Sequence, residues 1–246
     1  MDEISATNLS PQQIGLFLDV DGTLIDLAPT PDAVEVPRIL PELLATLEQR
    51  LDGALALVSG RPIAELDRLF SPVRLRASGV HGAELRHSPE APSECLTPVH
   101  LPGHAWQELL QLLTRFPGTF AENKGVGFAV HHRLAGDGEA ALVAALRGFV
   151  ADFADFDLTI RGGHRVFEIG PAQFSKGTAI ESFVARSPFA GRRPVFVADD
   201  RMDRPGFDAA LALGGLAFSV GMPFPGLSGW FAQPAAVRVW LGRLAR

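Results

Sequence analysis

Residues 14–23, IGLFLDVDGT, decide the fold. Ile14 to Leu18 is a short apolar run with the length of a buried strand, and a carboxylate, Asp19, follows it at once. The same punctuation recurs twice. Ala54 to Val58 is apolar and stops at Ser59-Gly60-Arg61, and Val195 to Ala198 is apolar and stops at Asp199-Asp200. Leu40 to Arg50 carries leucines at helical spacing. Pro62 stands where a helix begins and a missing N–H costs nothing, and IAELDRLF continues it. Strand, helix, strand, helix predicts an α/β layer with parallel strands. Ligands of such sheets bind outside the carboxyl ends of the strands. The three polar strand ends therefore form one candidate site if their strands are neighbours.

The pattern then breaks. Residues 87–103 are rich in Pro, Ser and Glu and lack periodicity, which reads as a linker. Beyond it come a helix over Trp106 to Phe116 and a hairpin over Thr119 to Arg133, turning at Gly125-Val126-Gly127. A helix over Glu139 to Phe153 follows, then a second hairpin, Leu158 to Arg161 and Arg165 to Ile169, around Gly162-Gly163. This α-β-β unit, twice over, predicts a small sheet with two helices on one face. Helices at Thr178 to Val184, Phe207 to Leu213 and Val237 to Leu244, with a strand at Leu216 to Val220, resume the first architecture. The expected organisation is a Rossmann-like α/β core over residues 1–102 and 172–246, interrupted by an inserted α+β domain over 103–171.

Composition excludes other classes. With 47% apolar and 20% charged residues in 246, the chain is neither disordered nor fibrous. A net charge of -6 argues against nucleic acid as a partner, since that binding needs a basic face. No stretch approaches the roughly 18 uninterrupted apolar residues of a membrane span, and MDEISATNLS lacks the apolar region of a secretory signal. A single cysteine, Cys95, forbids an intrachain disulfide and fits a reducing compartment. A cytoplasmic monomer acting on a small molecule is expected. Of the 22 basic residues only Lys124 and Lys176 are lysines. In a chain that disfavours lysine, each is a candidate for chemistry that suits a compact ammonium rather than a planar guanidinium.

Strand alternation would put Asp19 and Asp21 on one face. Two such carboxylates stay ionised together only beside a cation. A hard divalent ion of the Mg²⁺ type takes carboxylate and phosphate oxygens, and Asp199 supplies a third donor. An ion lowers the repulsion between a carboxylate and a phosphate dianion, so Asp19 becomes a possible nucleophile. Asp21 could then protonate the leaving oxygen and activate water. Ser59 and Lys176 would hold the transferring phosphoryl group. Simple alternatives exist for each residue: a turn for Asp21-Gly22, a helix N-cap for Ser59 or for Asp199-Asp200. In the inserted domain, Glu122 with Lys124, and His131 with Arg133, share strand faces. Such a face lines a sugar site or simply meets water.

FLDVDGTL, LVSGR, SKGTAI and VFVADDRMD resemble the four motifs of the haloacid dehalogenase superfamily of phosphatases. Within it, GVHGAELR (Gly79 to Arg86), AENKGVGFAVHHR (Ala121 to Arg133) and FEIGPAQFSKG (Phe167 to Gly177) most resemble the trehalose-6-phosphate phosphatases. The resemblance implies a core with a mobile cap, Mg²⁺, and hydrolysis of trehalose 6-phosphate. By the motif match Asp19 is nucleophile and Asp21 acid/base; Ser59, Gly60 and Lys176 bind phosphate. Asp19, Asp21 and Asp199 hold the metal, supported by Asp200 and Asp203. Arg61, His81, Glu122, Lys124, His131, Arg133 and Glu168 meet the sugar. The core motifs also fit sucrose phosphate or mannosyl-phosphoglycerate as substrate. Two departures stand out. The last motif reads Ala198-Asp199-Asp200-Arg201-Met202-Asp203-Arg204, where the family usually has Gly-Asp-Asp-x-Thr-Asp-Glu. This would suit a weakened regulator that binds sugar phosphate without turnover. Gly170 stands where a cation is often found.

Overall fold

The computed structural model describes residues 10–96, 101–132, 138–163 and 165–246. The chain divides into two compact units, one of residues 1–94 and 175–246, the other Cys95–Phe174. The second unit is wider at both ends than the insertion expected over 103–171. In chain order the first unit opens with β1 (Ile14–Leu18), α1 (Leu40–Arg50), β2 (Leu55–Val58), α2 (Ile63–Leu69), β3 (Arg76–Gly79) and β4 (Glu84–Arg86). The contact division falls in a two-residue strand, β5 (Glu94–Cys95). The second unit holds α3 (Gly103–Leu113), β6 (Phe120–Asn123), β7 (Phe128–His131), α4 (Glu139–Asp152), β8 (Leu158–Gly163) and β9 (Val166–Pro171). The chain then returns through α5 (Lys176–Val184), β10 (Arg193–Ala198), α6 (Arg204–Ala212), β11 (Leu216–Val220), β12 (Gly229–Phe231) and α7 (Pro234–Leu244).

The large sheet runs β12-β11-β10-β1-β2-β3-β4-β5. Strands β12 through β3 pair in parallel, and β4 turns back antiparallel. All five residues of β1 are buried. A central parallel strand covered on both faces needs an unbroken apolar run, which is why IGLFL does not alternate. Strand β1 lies between β2 and β10, so the chain leaves it in one direction and returns on the other side. This is the switch point at which strand-end loops diverge and leave a crevice. Leu18 is level with Leu57 on β2 and with Val197 on β10. The ends of all three strands therefore reach the same edge together. Leu40, Leu44 and Leu47 of α1 turn inward at helical spacing and join the core with Phe17, Phe183, Phe189 and Phe196.

In the second unit the sheet order is β6-β7-β9-β8, antiparallel throughout. Leu109 and Leu113 of α3, with Leu142, Leu146 and Phe149 of α4, cluster with Phe128, Val130, Phe167 and Ile169. Alternation sends Glu122, Ala129, Glu168 and Arg161 to the other face, where the register places them in one row across the four strands.

Candidate active site

Asp19 follows β1 directly, and its backbone N–H donates to the Val197 carbonyl at 3.0 Å, which keeps it in the sheet's plane. Lys176 opens α5. Ser175 caps that helix: its hydroxyl oxygen accepts from the Thr178 N–H at 3.1 Å, while Thr178 Oγ1 accepts from the Ser175 N–H at 3.0 Å. The cap delivers the Lys176 ammonium to two carboxylates, at 2.7 Å from Asp19 Oδ1 and 2.5 Å from Asp203 Oδ1. All three side chains are buried. Burial alone would push the Lys176 ammonium down, but Asp19 and Asp203 outweigh it and hold it protonated above the ordinary lysine range.

The carboxylates show the opposite imbalance. Burial pushes Asp19 up to about 7, with Asp203 adding repulsion and Lys176 only partly offsetting it. Asp199 rises to about 9, first from burial and then from Asp19 and Asp203. Asp19, Asp199 and Asp203 each offer an oxygen within 4.8 Å of the others. One lysine cannot balance three carboxylates, two buried and one half-buried. Their oxygens suit a hard divalent cation, so these are the residues that could hold one. Gly22 permits the approach, because a Cβ there would lie 2.0 Å from Asp199 Oδ2.

The sequence reading put Asp21 in the metal set through strand alternation, and here the structure differs. Strand β1 ends at Leu18, and the chain turns through Gly22 at a φ of 73°. Alternation therefore does not extend to Asp21. Its carboxylate meets Arg61 instead, with Nε to Oδ2 and Nη2 to Oδ1 both at 2.7 Å. Asp203, expected only as a supporting residue, takes the third place beside Asp19 and Asp199. Its signal in the sequence was its spacing of four from Asp199, which one tight helical turn brings back to the same side. Asp200 caps that turn through Met202 N–H at 3.0 Å.

The turn after β2 supplies Ser59, Gly60 and Arg61. The buried Ser59 hydroxyl oxygen accepts from the Arg61 N–H at 3.1 Å and keeps its own proton available to a ligand. Arg61 also reaches Glu65 at 3.1 Å. The role expected for Arg61 was the sugar; its guanidinium is committed to two carboxylates of its own unit. His81 is buried at a φ of 53°, and its ring lies over Gly60, where a Cβ would come 2.6 Å from Nε2. Gly60 is thus the space that His81 occupies.

In the second unit Lys124 and His131 reach the two carboxylates of the row, Glu168 and Glu122. Lys124 Nζ lies 2.9 Å from Glu168 Oε1, and His131 Nε2 is 3.4 Å from Glu122 Oε2. The His131 hydrogen bond is the main cause holding Glu122 below the ordinary carboxylate range. Phe120 stacks on His131 with ring centroids 4.4 Å apart. His132 points the other way and stacks on Phe167 at 4.5 Å inside the core. Arg133 lies outside the described residues. Arg161, at the end of this row, was not singled out by the sequence, since a lone arginine in a hairpin carries no motif.

The altered last motif leaves the carboxylates in place. Ala198 is buried at the end of β10. Arg204 turns to the surface, where it pairs with Asp208 at 2.8 Å. The reversed charge is thus directed along the exposed side of α6.

The fold and the carboxylate site define a core of the haloacid dehalogenase type. A solved structure described as a phosphatase of the haloalkanoate enzyme superfamily, from Bacteroides thetaiotaomicron, superposes with a TM-score of 0.61 at 14% identity, covering 94% of each chain. The Candida albicans trehalose-6-phosphate phosphatase C-terminal domain superposes with a TM-score of 0.82 at 19% identity, covering 95% of this chain and 93% of that one. At these identities the likeness concerns the fold. Sequence carries the assignment further. The family model for trehalose-phosphatase matches residues 17–220. A "Probable trehalose-phosphate phosphatase" of Sinorhizobium fredii is 39% identical over 235 residues, 96% of this chain and 88% of that protein. The trehalose-6-phosphate phosphatase of Escherichia coli is 37% identical over 214 residues, 83% of this chain and 76% of that protein. The chain belongs to the trehalose-phosphatase family.

Proposed function

We propose that the chain hydrolyses trehalose 6-phosphate to trehalose and phosphate in the cytoplasm, with Mg²⁺ as its ion. The observation that supports this best is Lys176 set between Asp19 and Asp203, with Asp199 within reach of both carboxylates. Bound there by Asp19, Asp199 and Asp203, the ion would supply positive charge that lets an anionic phosphate approach an anionic nucleophile.

The chain's own residues carry the steps. An Asp19 oxygen attacks phosphorus, forming an acyl-phosphate bond as the bond from phosphorus to the sugar oxygen breaks. A protonated Asp21, its carboxyl turned from the Arg61 fork, would donate its proton to that leaving oxygen. Asp21, now a carboxylate, takes a proton from water as the water oxygen attacks phosphorus. The bond to Asp19 then breaks and inorganic phosphate leaves. Lys176 and the Ser59 hydroxyl bind the phosphoryl oxygens, where charge gathers in the transition state. Glu122, Lys124 and Glu168 present donors and acceptors at fixed places to the sugar hydroxyls.

Phosphate release from a panel of sugar phosphates, with Mg²⁺ and with a chelator, tests this reading. Trehalose 6-phosphate should be the preferred substrate, chelation should stop turnover, and Asp19→Asn should release no phosphate while staying folded. Preference for another sugar phosphate, indifference to chelation, or turnover by Asp19→Asn would each overturn the corresponding part.

A further inference from the structure

Position 170 is a glycine, yet the space above it holds a cation. A Cβ placed on Gly170 would meet one side-chain atom within 4 Å, Nη1 of Arg161, at 3.8 Å. Arg161 comes from β8, two residues from Thr159, which is the register partner of Gly170; Arg161 itself is level with Glu168. Its other nitrogen, Nη2, donates to the carbonyls of Pro171 at 2.9 Å and Phe174 at 2.6 Å, and lies 3.5 Å from that of Ala172. The guanidinium is therefore fixed. Burial lowers its pKa and the charge of Glu168 raises it, so the two side chains feel each other electrostatically.

The row across the sheet is then Glu122, Ala129, Glu168, Arg161. Ala129 leaves a low floor between the two carboxylates. Lys124 contacts Glu168 from the β6 side, and Arg161 faces it from β8.

We infer that Arg161 is a positioning residue for sugar recognition: it supplies from β8 the positive charge that Gly170 lacks, and fixes Glu168 between two cations. The inference rests on the proposed function of the same face. A lysine on β8 keeps the charge and can offer one nitrogen to those carbonyls as Nη2 does, whereas a glutamine lacks the charge.

The test compares trehalose 6-phosphate with p-nitrophenyl phosphate, which has no sugar to read. For Arg161→Gln, the ratio of kcat/KM between the two substrates should fall about tenfold, the size of one charge-assisted contact, with KM for the sugar phosphate carrying the loss. Arg161→Lys should keep most of the ratio. Adding Gly170→Lys to Arg161→Gln should restore it, because the new ammonium enters the vacated space. Equal losses on both substrates, an unchanged ratio, or failure of both lysine variants to restore it would overturn the inference. A thermal melt of each variant separates loss of fold from loss of recognition, and Arg161→Met, which also removes the charge, serves if Arg161→Gln does not fold. A wild type inert toward trehalose 6-phosphate would overturn the proposed function itself. An active wild type with an unmoved ratio overturns the role of Arg161 alone.

Discussion

Arg61 holds Asp21 by both edges, with two nitrogens on two carboxylate oxygens at 2.7 Å each. The side chain of Arg61 is only 8% exposed, and its remaining nitrogen is tied to Glu65. A planar fork on a carboxylate fixes direction as well as charge. The turn after β2 thereby aims a residue from the loop after β1. Arg61→Lys keeps the charge and loses the fork. It should lower kcat by about a hundredfold, the scale of a misaligned catalytic group, with KM for the sugar phosphate little changed. Steady-state kinetics decides it. A rise in KM with kcat preserved would return Arg61 to the sugar-binding role read from its motif.

The carboxylate cluster sets a pH dependence whose sign follows from its shifts. Asp19 and Asp199 are both raised from 3.8, to about 7 and about 9. Between those limits the folded, ion-free protein binds more protons than the unfolded chain, so its stability falls as pH rises. The penalty is absent below the unfolded value and complete above the folded ones. A divalent ion replaces those protons and removes the penalty. The increase in Tm on adding Mg²⁺ to chelator-treated protein should therefore be larger at about pH 8 than at about pH 5. Thermal melts at both values measure it, and an increase independent of pH would contradict a cation held by these three carboxylates.

Much of this was legible in the sequence because it depends on periodicity and strand ends. IGLFL was readable as a buried strand, and the polar residues following three apolar runs do converge. Helix starts were less legible. The expected starts at Thr178, Phe207 and Val237 fall inside helices that open at Lys176, Arg204 and Pro234. A first turn is chosen by capping, and its side chains need not follow the apolar period. Strands β3 and β4 were missed because RASG and ELR are too short and polar for either period; Arg86 is buried because its guanidinium forks on Asp67 at 2.7 and 2.6 Å and donates to the Leu75 carbonyl at 3.0 and 2.7 Å. Asp21 was misplaced because alternation was extended past the last strand residue. Both rare lysines proved to be buried partners of carboxylates, Lys124 with Glu168 and Lys176 with Asp19 and Asp203.

Glu122 offers a test that leaves the phosphate chemistry aside. Its carboxylate is held ionised chiefly by the hydrogen bond from His131, whose ring is oriented by the stack on Phe120. An ionised acceptor of fixed direction suits a sugar hydroxyl. Glu122→Ala should reduce kcat/KM for trehalose 6-phosphate by about tenfold or more relative to p-nitrophenyl phosphate. His131→Ala should produce a smaller change in the same direction, because the carboxylate remains but loses its orientation. Parallel losses on both substrates would remove this face from sugar recognition.

His132 bears on the stability of the second unit. Its ring is 3% exposed, and among the described residues its buried Nε2 has no hydrogen-bond partner. Burial is the largest cause lowering its pKa from 6.5; Arg165 and His131 lower it further, while Glu139 opposes them. A histidine kept neutral by folding contributes stability that is present above its unfolded pKa and is lost as pH falls through its folded one. His132→Phe retains the stack on Phe167 and deletes the unpartnered nitrogen. An unsatisfied buried polar group costs on the order of 1–3 kcal/mol, so the variant should melt higher than wild type. The difference should widen on acidification, because only in the wild type does the unfolded chain take up a proton at this position that the folded protein does not. Melting curves from about pH 8 to about pH 5 follow that divergence directly. A variant that melts lower at every pH would show that the His132 nitrogen is satisfied in solution and that the ring is held by more than its stack.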